Sequence, residues 1–173
     1  NGIDRSGWIF QQLLKLNVDT ISKQEYIFVI DADTVLTKPK SLISNGKIIF
    51  DFSDEYHKPY FKTYEKITSL KHKLPVSLVS HMMLFKKSKL IELREHINKN
   101  NKENFIKSVL INLDQTEISS FSEYETYGNF CLNSDDDIII RYWFNNPQKF
   151  NSKKMNSFLK QDSIRLFNSI SFH

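Results

Sequence analysis

The run Tyr26-Ile27-Phe28-Val29-Ile30 followed at once by Asp31-Ala32-Asp33 constrains this chain more than any other segment. Five apolar residues bounded by polar ones read as a short buried strand, of the kind found in parallel sheets, where ligands gather beyond the carboxyl ends of the strands. The run therefore delivers two carboxylates to a place where a ligand is expected. In extended chain Asp31 and Asp33 share a side, and a turn at Ala32 still leaves both near one hard cation, which prefers oxygen ligands. A magnesium or manganese ion held there would bridge to a diphosphate. The plainer readings are an Asp-rich helix start or two solvated loop carboxylates.

The 173 residues suffice for one sizeable core and one domain. With 40% hydrophobic residues and only four Gly and four Pro, the composition is that of a globular chain. A net charge of +4 suits an anionic ligand without naming one. Basic and aromatic residues do not interleave as a nucleic-acid surface requires, so no nucleic-acid partner is expected. The single cysteine, Cys131, excludes an intrachain disulfide and a thiolate metal cluster, and reads as a small buried residue in a reducing compartment. No apolar stretch is long enough to span a membrane, and the first residues lack the order of a signal peptide. The chain opens at Asn1 without an initiator Met, which leaves room for a preceding segment carrying any targeting signal.

Asp4 reads as the N-cap of a helix through Leu16 whose inward face is Ile9, Phe10, Leu13, Leu14 and Leu16. Trp8 and Gln12, four residues apart, present one edge of that helix to a ligand or pack in the core. Pro39 stops the extended segment after Asp33. An Asn45-Gly46 turn introduces a strand over Lys47-Ile48-Ile49-Phe50. Residues 51–75, polar, aromatic and broken by Pro59, read as a substrate-side loop with a short helix. Strand character resumes over residues 77–85 and leads into a helix from Ser88 with Leu90, Leu93 and Ile97 inward. Arg94 belongs to an ordinary solvated face of that helix. A further helix over residues 103–113 turns Phe105, Ile106, Val109, Leu110 and Leu113 to the core. A late strand covers residues 137–144, and residues 145–173 form a flexible connection and a terminal segment.

Ser122 and Glu125 match a capping box, which explains Glu125 structurally. Glu123 lacks that explanation. It precedes Tyr127 by four residues, so carboxylate and phenol share a helix face, while Gly128-Asn129 permits a sharp exit. Such a carboxylate can deprotonate or orient a sugar hydroxyl. His81, set in an apolar strand, is either structural or an imidazole ligand beside Asp31 and Asp33, a role suited to manganese more than magnesium. His57, before Lys58-Pro59-Tyr60, touches substrate from its loop or packs beside the Pro. Arg5 and Lys15 can neutralise phosphate charge.

Taken in order, Arg5-Ser6-Gly7-Trp8-Ile9-Phe10-Gln11-Gln12-Leu13-Leu14-Lys15-Leu16, Val29-Ile30-Asp31-Ala32-Asp33-Thr34-Val35, His57-Lys58-Pro59-Tyr60, Val79-Ser80-His81-Met82-Met83-Leu84-Phe85 and Phe121-Ser122-Glu123-Tyr124-Glu125-Thr126-Tyr127-Gly128-Asn129 resemble the GT-A glycosyltransferase superfamily, in particular its bacterial members with a DUF6492-like pattern. The resemblance implies an α/β, Rossmann-like fold with a mostly parallel or mixed sheet flanked by helices. It implies sugar transfer from a nucleoside-diphosphate sugar to the hydroxyl of a glycan or glycoconjugate, with a divalent cation, manganese in preference to magnesium. Asp31 and Asp33, joined by His81, would hold the metal. Arg5, Trp8, Gln12 and Lys15 would serve the donor with them. Glu123 and Glu125 would be catalytic, and His57, Tyr60, Tyr124 and Tyr127 would meet the acceptor. A cytoplasmic location follows, with peripheral association at the inner membrane face left open. The departure lies at the amino end, where such enzymes place their first strands: the chain is either a fragment of a longer transferase or a reduced fold.

Two rival readings stand beside this one. Asp31-Ala32-Asp33-Thr34-Val35 also resembles the nucleophile motif of haloacid-dehalogenase-like phosphatases, with Asp31 attacking phosphorus, Asp33 as acid/base, and Asp135 and Asp136 holding magnesium. A nonenzymatic metal-binding or carbohydrate-binding module is the other. An EF-hand fails, because its turn Gly and terminal Glu would fall on Leu36 and Leu42.

Overall fold

A computed structural model of the chain describes residues 4–134, 137–148 and 165–172. Asp135 and Asp136, and most of the connection expected after residue 145, lie outside these residues.

Helix α1 (Ser6–Lys15) opens the chain and strand β1 (Tyr26–Ile30) follows. After the Asp31–Asp33 turn come β2 (Thr34–Leu36), β3 (Ile43–Ser44) and β4 (Lys47–Phe52). Asn45 and Gly46, both at positive φ, close the two-residue β3–β4 hairpin, as a turn matching the right-handed strand twist requires. Helix α2 (Lys58–Thr68) precedes β5 (Met82–Lys86), which runs directly into α3 (Lys87–Asn101) and then α4 (Phe105–Asn112). Helix α5 (Glu123–Asn133), β6 (Ile138–Tyr142), β7 (Asn145–Gln148) and the buried β8 (Ser169–Phe172) complete the order.

The described strands form three small sheets. β4 pairs in parallel with β6 and antiparallel with β3; β8 pairs in parallel with β7 and antiparallel with β2; β1 pairs antiparallel with β5. The result is an α/β fold of mixed sheets flanked by helices, Rossmann-like in general architecture, with no closed barrel among the described residues. The strand ahead of Asp31 is thus neither parallel nor fully buried: its ends are exposed and its middle is half-buried. An apolar run of five cannot by itself distinguish a central strand from one with a partly open face.

The core gathers Leu13 of α1 and Leu16 just after it, Phe50 of β4, Phe85 of β5 and the inner faces of α2 to α5. Leu90, Leu93 and Ile97 are fully buried, as their spacing predicts. Each contributes about 2 kcal/mol relative to exposure. Several sequence expectations change. Phe10 of α1 is 65% exposed and Leu14 44%, while Gln12 and Lys15 turn inward. Asp4 accepts the Ser6 N–H at 2.9 Å, but the N-cap position is Arg5. Ile106 and Leu110 of α4 are exposed, and Ser108 is buried in their stead. In both helices the apolar stripe is wider than the face the core can take.

Residues 77–81 form no continuous strand: Ser77 makes an isolated antiparallel bridge with Ser53, and β5 begins at Met82. α2 fills much of the span expected as substrate-side loop, and it buries Phe61, Tyr64 and Ile67. Gly128 lies inside α5 and not at an exit. A Cβ there would fall 2.4 Å from Leu78 Cδ1, so the missing side chain lets the 77–81 segment lie on the helix.

Arg94 is not a solvated residue. Its guanidinium donates to both carboxylate oxygens of buried Asp19, at 2.7 and 2.6 Å, and to the Leu16 carbonyl at 2.6 Å, tying the end of α1 to α3. Arg94→Ala strands a buried carboxylate and a helix-end carbonyl. Urea denaturation is expected to show a loss of about 3 kcal/mol; a loss below about 1 kcal/mol, the worth of an exposed pair, would contradict this.

Candidate active site

The chain turns at Asp31 because the Thr34 N–H closes onto the Asp31 carbonyl at 3.0 Å, while the Asp31 N–H donates to the His81 carbonyl at 2.8 Å. That second bond sets the segment before β5 against the turn after β1. His81 occupies the left-handed region, φ 61°, uncommon for a residue with a Cβ and frequent at functional sites. α1 brings Gln12 and Lys15 to the same place, α5 brings Glu123 and Tyr124 with its first turn, and the loop after β4 brings Glu55. Together with Asp33, Trp8 and Tyr60 they line a cleft of about 400 Å³.

Lys15 sits at its centre. The buried ammonium donates to Asp31 and, at 2.6 Å, to Glu123, and lies 3.3 Å from the Tyr124 hydroxyl. Tyr124 donates to Asp31 Oδ1 at 2.8 Å. The imidazole of His81 lies between carboxylates, Nε2 at 2.9 Å from Glu55 and Nδ1 at 3.4 Å from Asp31. The Gln12 amide oxygen accepts the Glu123 N–H at 3.1 Å, filling one of the free donors at the start of α5.

These contacts divide the titrating groups. Burial lifts the Glu123 carboxyl, 1% exposed, to about 7 despite Lys15 beside it. Burial works against the Asp31 carboxylate too, but the His81 and Lys15 contacts outweigh it and hold Asp31 below the ordinary range. For His81, burial opposes charge, yet hydrogen bonds to Asp31 and Glu55 raise it to about 9. Lys15 is likewise raised, with Glu123 and Asp31 overcoming its burial. Tyr124 is pushed up by burial and by the carboxylates around it.

Not every expected residue arrives. Glu125 lies outside the cleft: Ser77 Oγ, the Leu78 N–H and Asn129 donate to its carboxylate at 2.6, 2.9 and 3.1 Å. The capping box is half made, since Ser122 accepts the Glu125 N–H at 3.3 Å while the Glu125 side chain turns away to hold the 77–81 segment. The Tyr127 hydroxyl accepts the Lys86 N–H at 2.9 Å and its ring packs on Phe50 and Phe85, so it does not share a cavity with Glu123. His57 bonds the Ser119 carbonyl through Nε2 at 2.6 Å, beside the cleft. Tyr60, which bonds Ser119 Oγ at 2.7 Å, does reach it. Arg5 lines a neighbouring groove. The sequence does not single out Glu55, which stands in a polar loop three residues beyond β4, and only the fold brings it to His81.

Four carboxylates, Asp31, Asp33, Glu55 and Glu123, thus face two cations, Lys15 and His81. The imbalance favours a positively charged ligand. Among the described residues no group of three or more His, Cys, Asp and Glu side chains is placed to hold a metal ion, so no closed site of side chains is built. Hard cations are also bound by one or two carboxylates that share the ion with water and phosphate oxygens; here Asp31 is engaged by Lys15, Tyr124 and His81, contacts that an ion at this carboxylate would have to replace.

The DUF6492 profile, described as a family of unknown function, matches residues 4–170, nearly the whole chain. The chain belongs to that family. No curated protein matches it. Membership in DUF6492 suggests a transferase-like role. Among the described residues of this DUF6492 member, no helix is long and apolar enough to cross a membrane.

Proposed function

We propose that this cleft transfers a sugar from a nucleoside-diphosphate sugar to a hydroxyl of a glycan or glycoconjugate on a GT-A-like scaffold. The observation that carries the reading is a buried carboxylate with a raised pKa, Glu123, on the wall of the cleft that receives Asp31 and Asp33.

Asp31 and Asp33 are the residues that would hold a divalent cation, manganese in preference to magnesium, with His81 beside them. An ion bound there would supply positive charge to a departing diphosphate, an effect on the order of a few kcal/mol. The excess of carboxylates accounts for a metal requirement, since a diphosphate alone would meet net negative charge. His81 and Lys15 hold Asp31 ionised, and Lys15 is placed to pair with phosphate as the contacts exchange. Glu123, titrating near 7, accepts the proton of the acceptor hydroxyl in an inverting displacement or orients that hydroxyl in a retaining one. Tyr60 and Trp8 supply aromatic surface to the lining of the same cleft.

The test is incubation with a panel of nucleotide sugars, with and without manganese, measuring nucleotide release and sugar transfer separately. Metal-dependent transfer is the expected result. Release of phosphate from simple phosphomonoesters without sugar transfer would replace this reading with the phosphatase one, and metal-independent glycan binding without turnover would leave a binding module. Asp31→Asn and Asp33→Asn are each expected to weaken manganese-dependent nucleotide-sugar binding at least about tenfold, 1.4 kcal/mol, by calorimetry. Asp31 and Glu55 keep His81 protonated up to about pH 9, so the imidazole must lose that proton to ligate, and His81→Ala is expected to weaken manganese binding less than either. Unchanged affinity in well-folded Asp31 and Asp33 variants would remove the metal assignment.

A further inference from the structure

Residues 77–81 carry His81 to the cleft without the pairing of a continuous strand, so side chains satisfy much of their backbone, as buried polar groups require. The Leu78 N–H donates to the Glu125 carboxylate at 2.9 Å and the Val79 N–H to Ser77 Oγ at 3.1 Å, while the Val79 carbonyl accepts from Ser53 Oγ at 2.6 Å. Backbone bonds close the two ends. The Ser77 carbonyl accepts the Ser53 N–H at 2.9 Å, and the His81 carbonyl accepts the Asp31 N–H at 2.8 Å. Buried Glu125 also accepts from Ser77 Oγ at 2.6 Å, so one carboxylate oxygen grips residue 77 by its side chain and residue 78 by its backbone. Asn129, one turn further along α5, donates to the other oxygen at 3.1 Å.

His81 ends this segment at φ 61°. A residue with a Cβ keeps that conformation only where its surroundings over-determine it. In it, Nδ1 lies 3.4 Å from Asp31 Oδ2 and Nε2 lies 2.9 Å from Glu55 Oε1. We propose that Glu125, outside the cleft, is the positioning residue for His81: its carboxylate fixes residues 77 and 78, and through them the backbone that sets the imidazole between Asp31 and Glu55. The first turn of α5 then builds the site twice, sending Glu123 and Tyr124 into the cleft directly and His81 there through Glu125. The consequence for donor binding rests on the transfer reading above; the hold on His81 does not.

Amide hydrogen exchange reads that hold. In Glu125→Met, which offers no carboxylate oxygen, the Asp31 amide is expected to exchange at least about tenfold faster, because its acceptor is the His81 carbonyl, while the amides of Leu93 and Ile97 in α3 keep their protection. Glu125→Gln retains one oxygen for Ser77 and Leu78 and should restore the protection of Asp31, although it loses stability at Asn129. Ser77→Ala removes a single hydroxyl, folds more readily than Glu125→Met, and should speed Asp31 exchange in the same local pattern. By calorimetry, manganese-dependent nucleotide-sugar binding should weaken about threefold in Glu125→Met and keep its strength in Glu125→Gln. In a His81→Ala background Glu125→Met should cause little further loss, since a residue that acts through the imidazole has nothing left to act on. Unchanged Asp31 exchange in Glu125→Met and Ser77→Ala would overturn the proposal. So would affinity losses that add in the double variant, the mark of a general loss of stability. No nucleotide-sugar binding by the unaltered protein, with the exchange response intact, would remove the transfer reading and leave the positioning role standing.

Discussion

Replacing Glu123 by Gln is expected to lower sugar transfer about a hundredfold or more, the usual contribution of a positioned general base, while leaving nucleotide-sugar affinity near its original value. The amide keeps the shape of the side chain but accepts no proton. With the original residue, transfer at subsaturating acceptor should rise with pH through a midpoint near 7, where the buried carboxyl ionises, and the variant should lack that limb. Stability should move the other way. The folded pKa, about 7, exceeds the ordinary 4.5, so between these values the folded protein holds a proton that the unfolded chain has released, and stability falls as pH rises through that window. Glu123→Gln removes this loss, so thermal melts should favour the variant more at pH 8 than at pH 4.5. Glu125, also raised to about 7 by burial, keeps its own share of the slope in both proteins. A normal transfer rate in Glu123→Gln would end the catalytic assignment. Glu125→Gln should chiefly lose stability, because Ser77, Leu78 and Asn129 converge on its carboxylate.

Lys15→Met is expected to be the most damaging single change to folding, costing about 3–5 kcal/mol, because it leaves the buried Asp31 and Glu123 without the cation between them. The methyl end of Met fills similar space, so the loss is one of charge and not of packing. Combining it with Glu123→Gln should recover part of the cost, since the second change removes one stranded carboxyl. A double-mutant cycle by urea denaturation measures this coupling, with about 1 kcal/mol or more expected for groups in direct contact. Strict additivity of the two losses would show that Lys15 does not hold Glu123 in solution. Donor binding should weaken with Lys15→Met even where folding survives, as the cleft loses one of its two cations.

Much of this site was legible in the residues themselves. Asp31 and Asp33 stood out as carboxylates at the end of an apolar run, and Glu123 because the capping pattern accounted for Glu125 and not for it. Lys15 and Gln12 were marked by their place on a helix, although the expected inward face was an apolar one. Glu55 was missed, since one acidic residue in a polar loop carries little weight without a partner across the fold. Tyr127 was misplaced by the same limit. Four-residue spacing puts it on the side of α5 that bears Glu123, but the buried wall formed by Phe50 and Phe85 takes the ring before the cleft can.

Local spacing and residue chemistry by themselves determined the Asn45-Gly46 hairpin, the inward stripe of Leu90, Leu93 and Ile97, the Ser122 cap and the two carboxylates after β1, because each depends on backbone geometry within a few residues. Only the tertiary structure decided that β1 pairs antiparallel with β5, that α5 runs on through Gly128, and that Lys15 from α1, His81 from the segment before β5 and Glu123 from α5 surround Asp31. Those outcomes depend on which surfaces remain to be covered once the core is packed, and on burial strong enough to set opposite charges against one another. Such terms act between residues about a hundred positions apart, 108 for Lys15 and Glu123, and no periodicity along the chain records them.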